Sequence, residues 1–161
     1  MRILHINCNY LGTALHQNMI EELDALGYDN EVFVPIYKGA VSVIDPNNKV
    51  FVSECFNRID RACFDYKQKK IIDAIELQYD VSKFDLIHAY TLFTDGNCAR
   101  VLSEKYGIPY VVAVRNTDVN DFFSKRMLLR NRGVKNLEKS TKIFYLSRCY
   151  QEQVERKYVP N

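Results

Sequence analysis

The sequence predicts a doubly wound α/β fold, in which a mostly parallel sheet is flanked by helices. Three observations lead to this prediction. Short β-rich apolar runs recur along the chain, helical stretches separate them, and the runs are continuously apolar, as in strands that are buried on both faces. The chain has 161 residues, of which 47% are hydrophobic and 12% aromatic. This composition is sufficient for the packed core of one ordinary domain.

Six runs are predicted to be strands, and they occupy residues 2–7, 31–37, 49–55, 84–90, 110–114 and 142–146. Pro35 lies inside the second run, where proline cannot donate a ladder hydrogen bond. It should therefore lie near the end of its strand or at an edge of the sheet. Between the second and third runs, the sequence Pro46-Asn47-Asn48 predicts a turn.

Two long helical stretches lie in the first half of the chain. The first is predicted to follow Gly12 and to end at Gly27, and the second spans residues 57–79 as one long or one broken helix. Each is expected to bury an apolar stripe against the sheet. The stripe of the first consists of Leu15, Met19, Ile20, Leu23 and Leu26, and that of the second of Ile59, Cys63, Tyr66, Ile71, Ile72, Ile75 and Leu77.

Further helices are predicted in the second half of the chain. Residues 95–106 should form a helix that is closed by Gly107 and Pro109. Residues 121–131 predict another helix, and residues 134–139 predict a short helical or turn segment. After the last strand, Ser147 can cap a final helix that runs to residue 157.

Charge and cysteine content limit the classes of protein to consider. The formal net charge of +2 is too small to indicate a nucleic-acid-binding protein. The cysteines are widely spaced, with no C-x-x-C pair and no zinc-ligand array, and they are Cys8, Cys55, Cys63, Cys98 and Cys149. We therefore predict reduced, mostly buried thiols in a cytosolic protein that needs no metal.

The sequence shows no sign of membrane insertion. The N-terminal apolar run turns polar after six residues, and no stretch reaches the roughly 20 apolar residues that a transmembrane helix needs. A protein that is soluble, or at most peripheral at a membrane, is expected.

Polar residues follow four of the predicted strands. Because the carboxyl ends of parallel strands meet at one edge of a sheet, these residues should surround one ligand-binding crevice. They are Asn7, Asn9, Tyr10 and Gly12 at the first strand, His88, Tyr90 and Thr91 at the fourth, Arg115, Asn116, Thr117 and Asp118 at the fifth, and Ser147 with Arg148 at the sixth.

The loop at Gly12 and Thr13 is the candidate phosphate site. A glycine lets backbone N–H groups approach an anion, and the following helix adds the positive end of its dipole. The alternative is a plain strand-to-helix turn. The fingerprints of dinucleotide dehydrogenases, P-loop NTPases and α/β-hydrolases are all absent from the chain.

Arg115 is always charged and directly follows a strand that is predicted to be buried, so it should face the crevice and pair with a carboxylate or phosphate. The alternative is a salt bridge with Asp118 or Asp121. One of Asp118 and Asn120 is expected to cap the helix predicted to start near residue 121.

The three histidines lie in three different predicted elements, His5 in the first strand, His16 in the first helix and His88 in the fourth strand. For His88, two interpretations stay open: a ligand contact, or a hydrogen-bonded residue of the core. His5 and His16 have no carboxylate partner or metal-ligand spacing, and no role is assigned to them.

A basic segment extends from residue 125 to residue 142. Its charges are Lys125, Arg126, Arg130, Arg132, Lys135, Lys139 and Lys142, and apolar residues lie between them. Such a helix could lie on anionic lipid headgroups. The alternative is a solvated helix face with one apolar stripe toward the sheet.

Four stretches in this order, MRILHINCNYLG, FDLIHAY, YVVAVRNTDVNDFF and STKIFYLSRCYQEQV, resemble the N-terminal half of a GT-B fold glycosyltransferase and are most similar to glycosyltransferase family 4. The third stretch contains a strand, and members of that family place a His-Gly-Ser/Thr-Asp segment directly after this strand. Here Arg115 stands where that histidine is common, whereas Thr117 and Asp118 match the pattern.

The resemblance implies that residues 1–161 form a Rossmann-like, acceptor-side domain whose first glycine loop faces the donor phosphates. It implies a retaining transfer of a sugar from a nucleotide-sugar to a glycan or lipid-linked acceptor, in the cytoplasm or at the inner face of the membrane. The C-terminal domain, which would bind the nucleotide, is expected to be absent from this chain, so the chain should be inactive alone. The alternative is a non-catalytic Rossmann-like module that binds a nucleotide or sugar.

Overall fold

The computed structural model describes residues 1–40 and 49–159 of the chain. Its centre is a sheet of six parallel strands in the order β3-β2-β1-β4-β5-β6. The strands are β1 (Arg2–Ile6), β2 (Asp29–Tyr37), β3 (Val50–Phe56), β4 (Leu86–Ala89), β5 (Tyr110–Val114) and β6 (Lys142–Tyr145). All six predicted strands are confirmed, and so is the doubly wound α/β class. The predicted turn at residues 46–48 lies outside the described residues.

In the described part of the chain, five α-helices connect or follow the strands. They are α1 (Ala14–Ala25), α2 (Phe64–Gln78), α3 (Thr94–Tyr106), α4 (Arg130–Glu138) and α5 (Arg148–Lys157). Shorter turns of helix occupy Tyr10–Gly12, Ile59–Ala62, Val81–Lys83 and Met127–Leu129, and a π-helix occupies Asp118–Phe123. The predicted ends of α1 and α3 are confirmed, since Gly27 and Gly107 adopt the left-handed φ angles of 82° and 70° that favour glycine.

The helices divide unequally between the two faces of the sheet. The larger core joins strand residues such as Leu4 and Val112 to Ile71 of α2, Leu102 of α3 and Val154 of α5. A smaller cluster on the α1 side consists of Tyr10, Ile20, Val32 and Val34. Strand order reverses between β1 and β4, because β2 lies on one side of β1 and β4 on the other. In such sheets this switch point opens a crevice beyond the carboxyl ends of the strands.

Pro35 lies near the end of β2, as predicted, although β2 is an interior strand. The pairing of β1 with β2 ends at Ile6 and Phe33, and Val32 N–H donates to Lys49 O on the β3 side. Since successive residues alternate sides, position 35 faces β1 beyond its last pair. The Asn7 carbonyl on that side accepts Tyr10 N–H instead, at 3.4 Å. Proline therefore removes no ladder hydrogen bond here.

The predicted helix at residues 121–131 is confirmed only in its first part, since helical turns run from residue 116 to residue 125 and are then interrupted. The chain there forms the π-helix, then a turn at Met127–Leu129, and α4 begins only at Arg130. A break between two helical segments was predicted at residues 132–133. Instead, Gly133 lies inside the continuous helix α4. A Cβ at Gly133 would lie 2.5 Å from Phe93 Cζ and 2.9 Å from Phe123 Cζ. This glycine is used for close packing and not for ending a helix.

The apolar stripes were predicted too broadly. The second stretch is broken, as one alternative held, and α2 starts at Phe64 after the turn at Ile59–Ala62. Of its stripe, Ile71 and Ile75 are fully buried, whereas Ile59 and Leu77 are 85% and 90% exposed. In α1, Ile20 is buried, but the exposed side chains of the stripe include Leu15 and Leu26. In each helix, only part of the predicted apolar stripe is buried against the sheet.

The prediction of mostly buried thiols is also wrong. All five cysteines are free, but only Cys98 is buried; Cys8 and Cys55 are half-buried, and Cys63 and Cys149 are exposed. The two exposed cysteines flank the N-termini of α2 and α5, where the chain meets solvent. Within residues 1–40 and 49–159, no helix is both long and apolar enough to cross a membrane.

Candidate ligand-binding crevice

A cavity of about 740 Å³, called the first cavity here, opens at the carboxyl edge of the sheet. Its walls are the loop after β1, the N-terminus of α1, the loop after β5 and the N-terminus of α5. The predicted site residues that line it are Asn9, Gly12, Thr13, Arg115, Asn116, Thr117 and Ser147. Three loops that are distant in sequence thus meet, as the parallel topology requires.

A second cavity of about 550 Å³ adjoins the first on the side of β2, β3 and α2. The residues common to both cavities are Cys8, Asn9, Ile36, Arg115 and Thr117. Thr91 and Asp118 line only the second cavity. Arg115 therefore stands at the boundary between two compartments of one crevice.

Tyr10, His88 and Tyr90 line neither cavity. Tyr10 is buried in the smaller hydrophobic cluster. The His88 ring stacks on Tyr90 with a centroid distance of 4.4 Å, and Tyr90 Oη lies 3.2 Å from His5 Nδ1. Burial lowers the pKa of His88 to about 3 and that of His5 to about 4, so both rings are neutral near pH 7. These residues pack the α1 side of the sheet below the crevice.

The guanidinium of Arg115 is held by a backbone carbonyl and not by an acid. The Nε atom donates to Tyr90 O at 2.7 Å, and the main-chain N–H of the residue donates to Asp118 Oδ2 at 2.9 Å. In the described part of the chain, Arg115 has no ion pair, and Asp121 pairs instead with Arg126 and Lys125, at 3.2 and 3.4 Å. The predicted salt bridge to Asp118 or Asp121 is therefore not formed. The terminal nitrogens of the guanidinium are left for a ligand.

Asp118 joins the loops after β4 and β5. Its two oxygens accept the N–H groups of Arg115 and Phe93, the latter at 3.3 Å, and its side chain is buried. Burial raises its pKa to about 6, against the opposing effect of these N–H donors. The prediction that Asp118 or Asn120 caps a following helix missed this bridging role. Asn120 is exposed and hydrogen-bonds to Asn116.

Two helix N-termini face the first cavity. Thr13 Oγ1 accepts Leu15 N–H at 3.2 Å at the start of α1, and Ser147 Oγ accepts Cys149 N–H at 3.2 Å at the start of α5, as predicted for that cap. The N–H of Gly12 donates to Asn9 O at 3.0 Å, so it is not available to an anion. The donors at the tip of α1 come after the glycine. With Arg115, these two dipoles favour negative charge in the cavity.

Sequence reasoning missed Asp95, which fixes the loop after β1. Asp95 is fully buried in the first turn of α3 and accepts Cys8 N–H at 3.3 Å, while Cys8 Sγ lies 3.6 Å from its other oxygen. Burial raises the Asp95 pKa to about 7 and keeps the pKa of the Cys8 thiol well above its usual range. The only signal in the sequence was an acidic residue in a first helical turn.

His16 was also missed, since one histidine in a predicted helix carries no pattern. It lines the first cavity one turn after Thr13 and is 2% exposed. Its Nε2 atom is buried without a hydrogen-bond partner in the described part of the chain. Because buried polar atoms without a partner are rare in proteins, His16 Nε2 is a candidate ligand contact in this cavity. Among the described residues, no group of three or more His, Cys, Asp or Glu side chains could hold a metal ion.

Comparison with known proteins places the fold. No protein-family model matches the chain, and no curated protein sequence matches it. Sucrose-phosphate synthase from Thermosynechococcus elongatus superposes with a TM-score of 0.70 at 15% identity, over 98% of this chain and 83% of that one. UGT89C1 from Arabidopsis thaliana, complexed with UDP, superposes with a TM-score of 0.59 at 13% identity, over 98% of this chain and 46% of that one.

The fold is that of one half of a GT-B glycosyltransferase. The expected Rossmann-like architecture is confirmed at this level, and the chain spans under half the length of the Arabidopsis protein.

Proposed function

We propose that this chain is the N-terminal, acceptor-side domain of a GT-B glycosyltransferase, most similar to glycosyltransferase family 4. The reaction is transfer of a hexose from a nucleotide-sugar to a glycan or lipid-linked acceptor. The observation that carries the proposal is the first cavity, where Arg115 and the N-termini of α1 and α5 converge on a space of about 740 Å³. Both structural neighbours support the choice, and one of them was solved with UDP.

In this proposal the first cavity receives the donor diphosphate. As the bond from sugar to phosphate breaks, negative charge grows on the departing oxygens, and groups fixed in advance stabilise it best. Arg115 is such a group, because Tyr90 O and Asp118 hold it in place before a ligand arrives. The acceptor hydroxyl would approach from the second cavity, which shares Arg115 with the first.

A nucleotide-binding C-terminal domain completes the proposed site, and the 161-residue chain alone transfers no sugar. We also propose that transfer needs no metal or other cofactor, since Arg115 and the helix dipoles supply the positive charge. Incubating the purified chain with common nucleotide-sugars and acceptors should give no transfer product. Appreciable transfer would contradict the requirement for a second domain.

Binding of a nucleoside diphosphate tests the site directly. The chain is expected to bind UDP, GDP or ADP at least about tenfold more tightly than the matching nucleoside, because charge-assisted hydrogen bonds to phosphate dominate the contacts of this half. Isothermal titration with each diphosphate and nucleoside measures the ratio. Equal affinity for diphosphate and nucleoside would contradict the phosphate assignment of the first cavity.

One observation favours a second function. Arg115 occupies the position where the similar family commonly has a histidine, so the crevice could belong to a non-catalytic module that binds a nucleotide or sugar. The two functions differ in turnover. A protein containing this chain together with a nucleotide-binding domain should consume a nucleotide-sugar in the presence of acceptor if it is a transferase, and should only bind it if it is a module.

We further propose a peripheral contact with anionic membrane at the cytoplasmic face, made by the turn at Met127–Leu129. Helix α4 itself packs Gly133, Asn136 and Leu137 inward, so it follows the solvated-helix alternative. The turn is different, because Leu128 is 99% and Met127 70% exposed, with Lys125 and Arg126 beside them. Exposed apolar groups flanked by basic ones are typical of interfacial segments.

Vesicle flotation tests this contact. Leu128→Ser should reduce flotation of the chain with phosphatidylglycerol vesicles, since it removes the most exposed apolar side chain of the turn. Leu77→Ser is the matched control, because Leu77 is 90% exposed on another surface, at the end of α2. Flotation that does not depend on anionic lipid, or that both variants reduce equally, would contradict a contact through this turn.

A further inference from the structure

The loop after β1 is held by Asp95, a fully buried acid that has no ion pair in the part of the chain that the structure describes. Asp95 Oδ1 accepts the Cys8 N–H at 3.3 Å, and Cys8 Sγ lies 3.6 Å from Oδ2. An ionised Asp95 accepts both the N–H and the S–H of Cys8, whereas protonation removes the charge that strengthens both hydrogen bonds. The charge on Asp95 therefore controls how firmly this loop is held.

Two buried polar atoms beside the loop have no hydrogen-bond partner among the described residues. Asn7 directly precedes Cys8 and is fully buried, and its Nδ2 atom is unpaired although its Oδ1 accepts Asn9 N–H at 3.0 Å. The other atom is His16 Nε2, in the wall of the first cavity. Unpaired buried polar atoms cost free energy. They favour a second arrangement, in which the loop moves or a ligand supplies the partners.

Neighbouring groups set the pH at which Asp95 changes charge. Burial raises the Asp95 pKa to about 7, the charge of Asp118 adds to this effect, and hydrogen bonds to the carboxylate oppose it. Burial also raises the pKa of the Tyr90 hydroxyl and that of the Cys98 thiol, so both groups stay neutral near pH 7. The charged groups that act on Asp95, Cys8 or Asp118 from the surrounding elements are Asp118 of the π-helix, Lys67 of α2 and Arg115 after β5.

We propose that the Cys8–Asp95 contact is a proton-linked switch, which holds the loop after β1 when Asp95 is ionised and weakens when an anion in the first cavity drives proton uptake at Asp95. Cys8 lines the first cavity, so Asp95 lies one hydrogen bond away from a residue that borders the ligand. The negative charge of a ligand there disfavours a nearby carboxylate and favours its protonated form. The proton is taken up from solvent.

The switch implies a definite pH dependence of anion binding. Because the protonated form of Asp95 binds an anion better, the affinity must fall as the pH rises through the range in which Asp95 ionises. The weakened contact would also free the loop that carries Asn9 and Gly12 to adjust to the ligand. The response to a ligand rests on the proposed function, whereas the pH dependence of the Cys8–Asp95 contact does not.

Nuclear magnetic resonance on the complete 161-residue chain tests the contact without a ligand. The amide resonances of Cys8 and Asn9 should move with a midpoint at about pH 7 in the wild type. Asp95→Asn has nearly the same size and no charge, so it should abolish this movement. Asp73→Asn is the matched control, because Asp73 is an exposed acid of α2 that pairs with Lys69.

Cys8→Ser tests the same contact with both groups still in place. A hydroxyl donates more strongly than a thiol to an ionised acid, so the midpoint should move to lower pH by about half a unit or more. This variant decides the question if Asp95→Asn does not fold. Amide resonances of Cys8 and Asn9 that do not titrate near pH 7, or that titrate equally in Asp95→Asn, would overturn the proposal.

Titration calorimetry at about pH 6 and pH 8 tests the response to a ligand. UDP-glucose is the probe, because its diphosphate stays fully ionised across this range. The wild type and Asp73→Asn should bind it about three- to fivefold more weakly at the higher pH, and Asp95→Asn should change by less than about twofold. His16, whose pKa is lowered mainly by burial, and Asp118 are present in every variant and add the same background.

The two measurements separate this switch from the proposed function. An affinity change that Asp95→Asn retains in full would overturn the link between Asp95 and the ligand. A chain that shows the amide titration but binds no UDP-glucose would count against the proposed function, and it would support the pH-dependent contact between Cys8 and Asp95.

Discussion

Arg115→Ala is expected to weaken binding of a nucleoside diphosphate by about a hundredfold, or roughly 3 kcal/mol, because it removes an arginine that lines both cavities and leaves the phosphate charge uncompensated. In a protein that carries the second domain, sugar transfer should fall by a similar or larger factor. The fold should persist. Loss of the bond to Tyr90 O is expected to lower the free energy of unfolding by only about 1 kcal/mol.

One further variant at position 115 separates the effect of the charge from that of the guanidinium geometry, and one variant at a neighbouring position is the control. Arg115→Lys keeps the charge but not the planar fork that bonds Tyr90 O and a ligand together, so it should recover only a small part of the binding. Arg148→Ala is the control, because Arg148 is 90% exposed in the first turn of α5, beside the same cavity. Unchanged diphosphate binding and turnover in Arg115→Ala would show that the residue is structural. If Arg148→Ala weakened diphosphate binding equally, the loss would be due to the overall positive potential around the cavity and not to a direct contact of Arg115.

Gly133→Ala is expected to lower the free energy of unfolding by about 1–3 kcal/mol, although alanine is the better helix former by about 1 kcal/mol. The reason is steric. Gly133 lies inside α4, and a methyl group there would approach Phe93 Cζ to 2.5 Å and Phe123 Cζ to 2.9 Å. Both rings are fully buried, so neither can move aside into solvent. Urea unfolding monitored by circular dichroism measures the change.

The matched substitution is Gly12→Ala, because a Cβ at Gly12 would meet no atom within 4 Å. Its effect on stability should stay within about 0.5 kcal/mol. Combining Gly133→Ala with Phe93→Leu should recover part of the loss, since the smaller side chain makes room for the methyl group. A Gly133→Ala protein that is as stable as the wild type would show that α4 can shift away from the sheet.

The sheet was predictable from the sequence, and the helical faces were not. Continuous apolar runs such as residues 110–114 indicate strands whatever lies around them, and parallel topology then brings their polar ends together. Leu128 and Leu137 are the same residue type nine positions apart, yet Leu128 is 99% exposed and Leu137 only 4%. Leu137 is buried because it lies on the face of α4 that packs inward with Gly133, whereas Leu128 lies in the turn before α4 begins. No local pattern contains this information.

The residues of the candidate site also fall into two groups, those that could be predicted from the sequence and those that could not. Arg115 and Thr117 were found because they directly follow a strand, and their placement needs only the topology. Asp95 and His16 were missed because their importance comes from burial beside loops that are remote in sequence. For Arg115 the direction toward the crevice was predicted correctly, but its partner is a backbone carbonyl, which a sequence cannot distinguish from an acid.

The π-helix at Asp118–Phe123 places two neighbouring side chains in different surroundings, Phe122 at the second cavity and Phe123 in the hydrophobic core. Phe122 lines the second cavity and stacks on Phe93 at 4.7 Å, while Phe123 packs edge-on against the same ring and stacks on Tyr158 at 4.4 Å. Any molecule that fills the cavity and orders Phe122 therefore also orders the ring stack that joins the start of α3 to the end of α5. Ligand binding in the second cavity and the stability of the ring stack are then thermodynamically linked. Amide protons near Tyr158 should therefore exchange more slowly when a ligand is bound, although the ligand lies far from them.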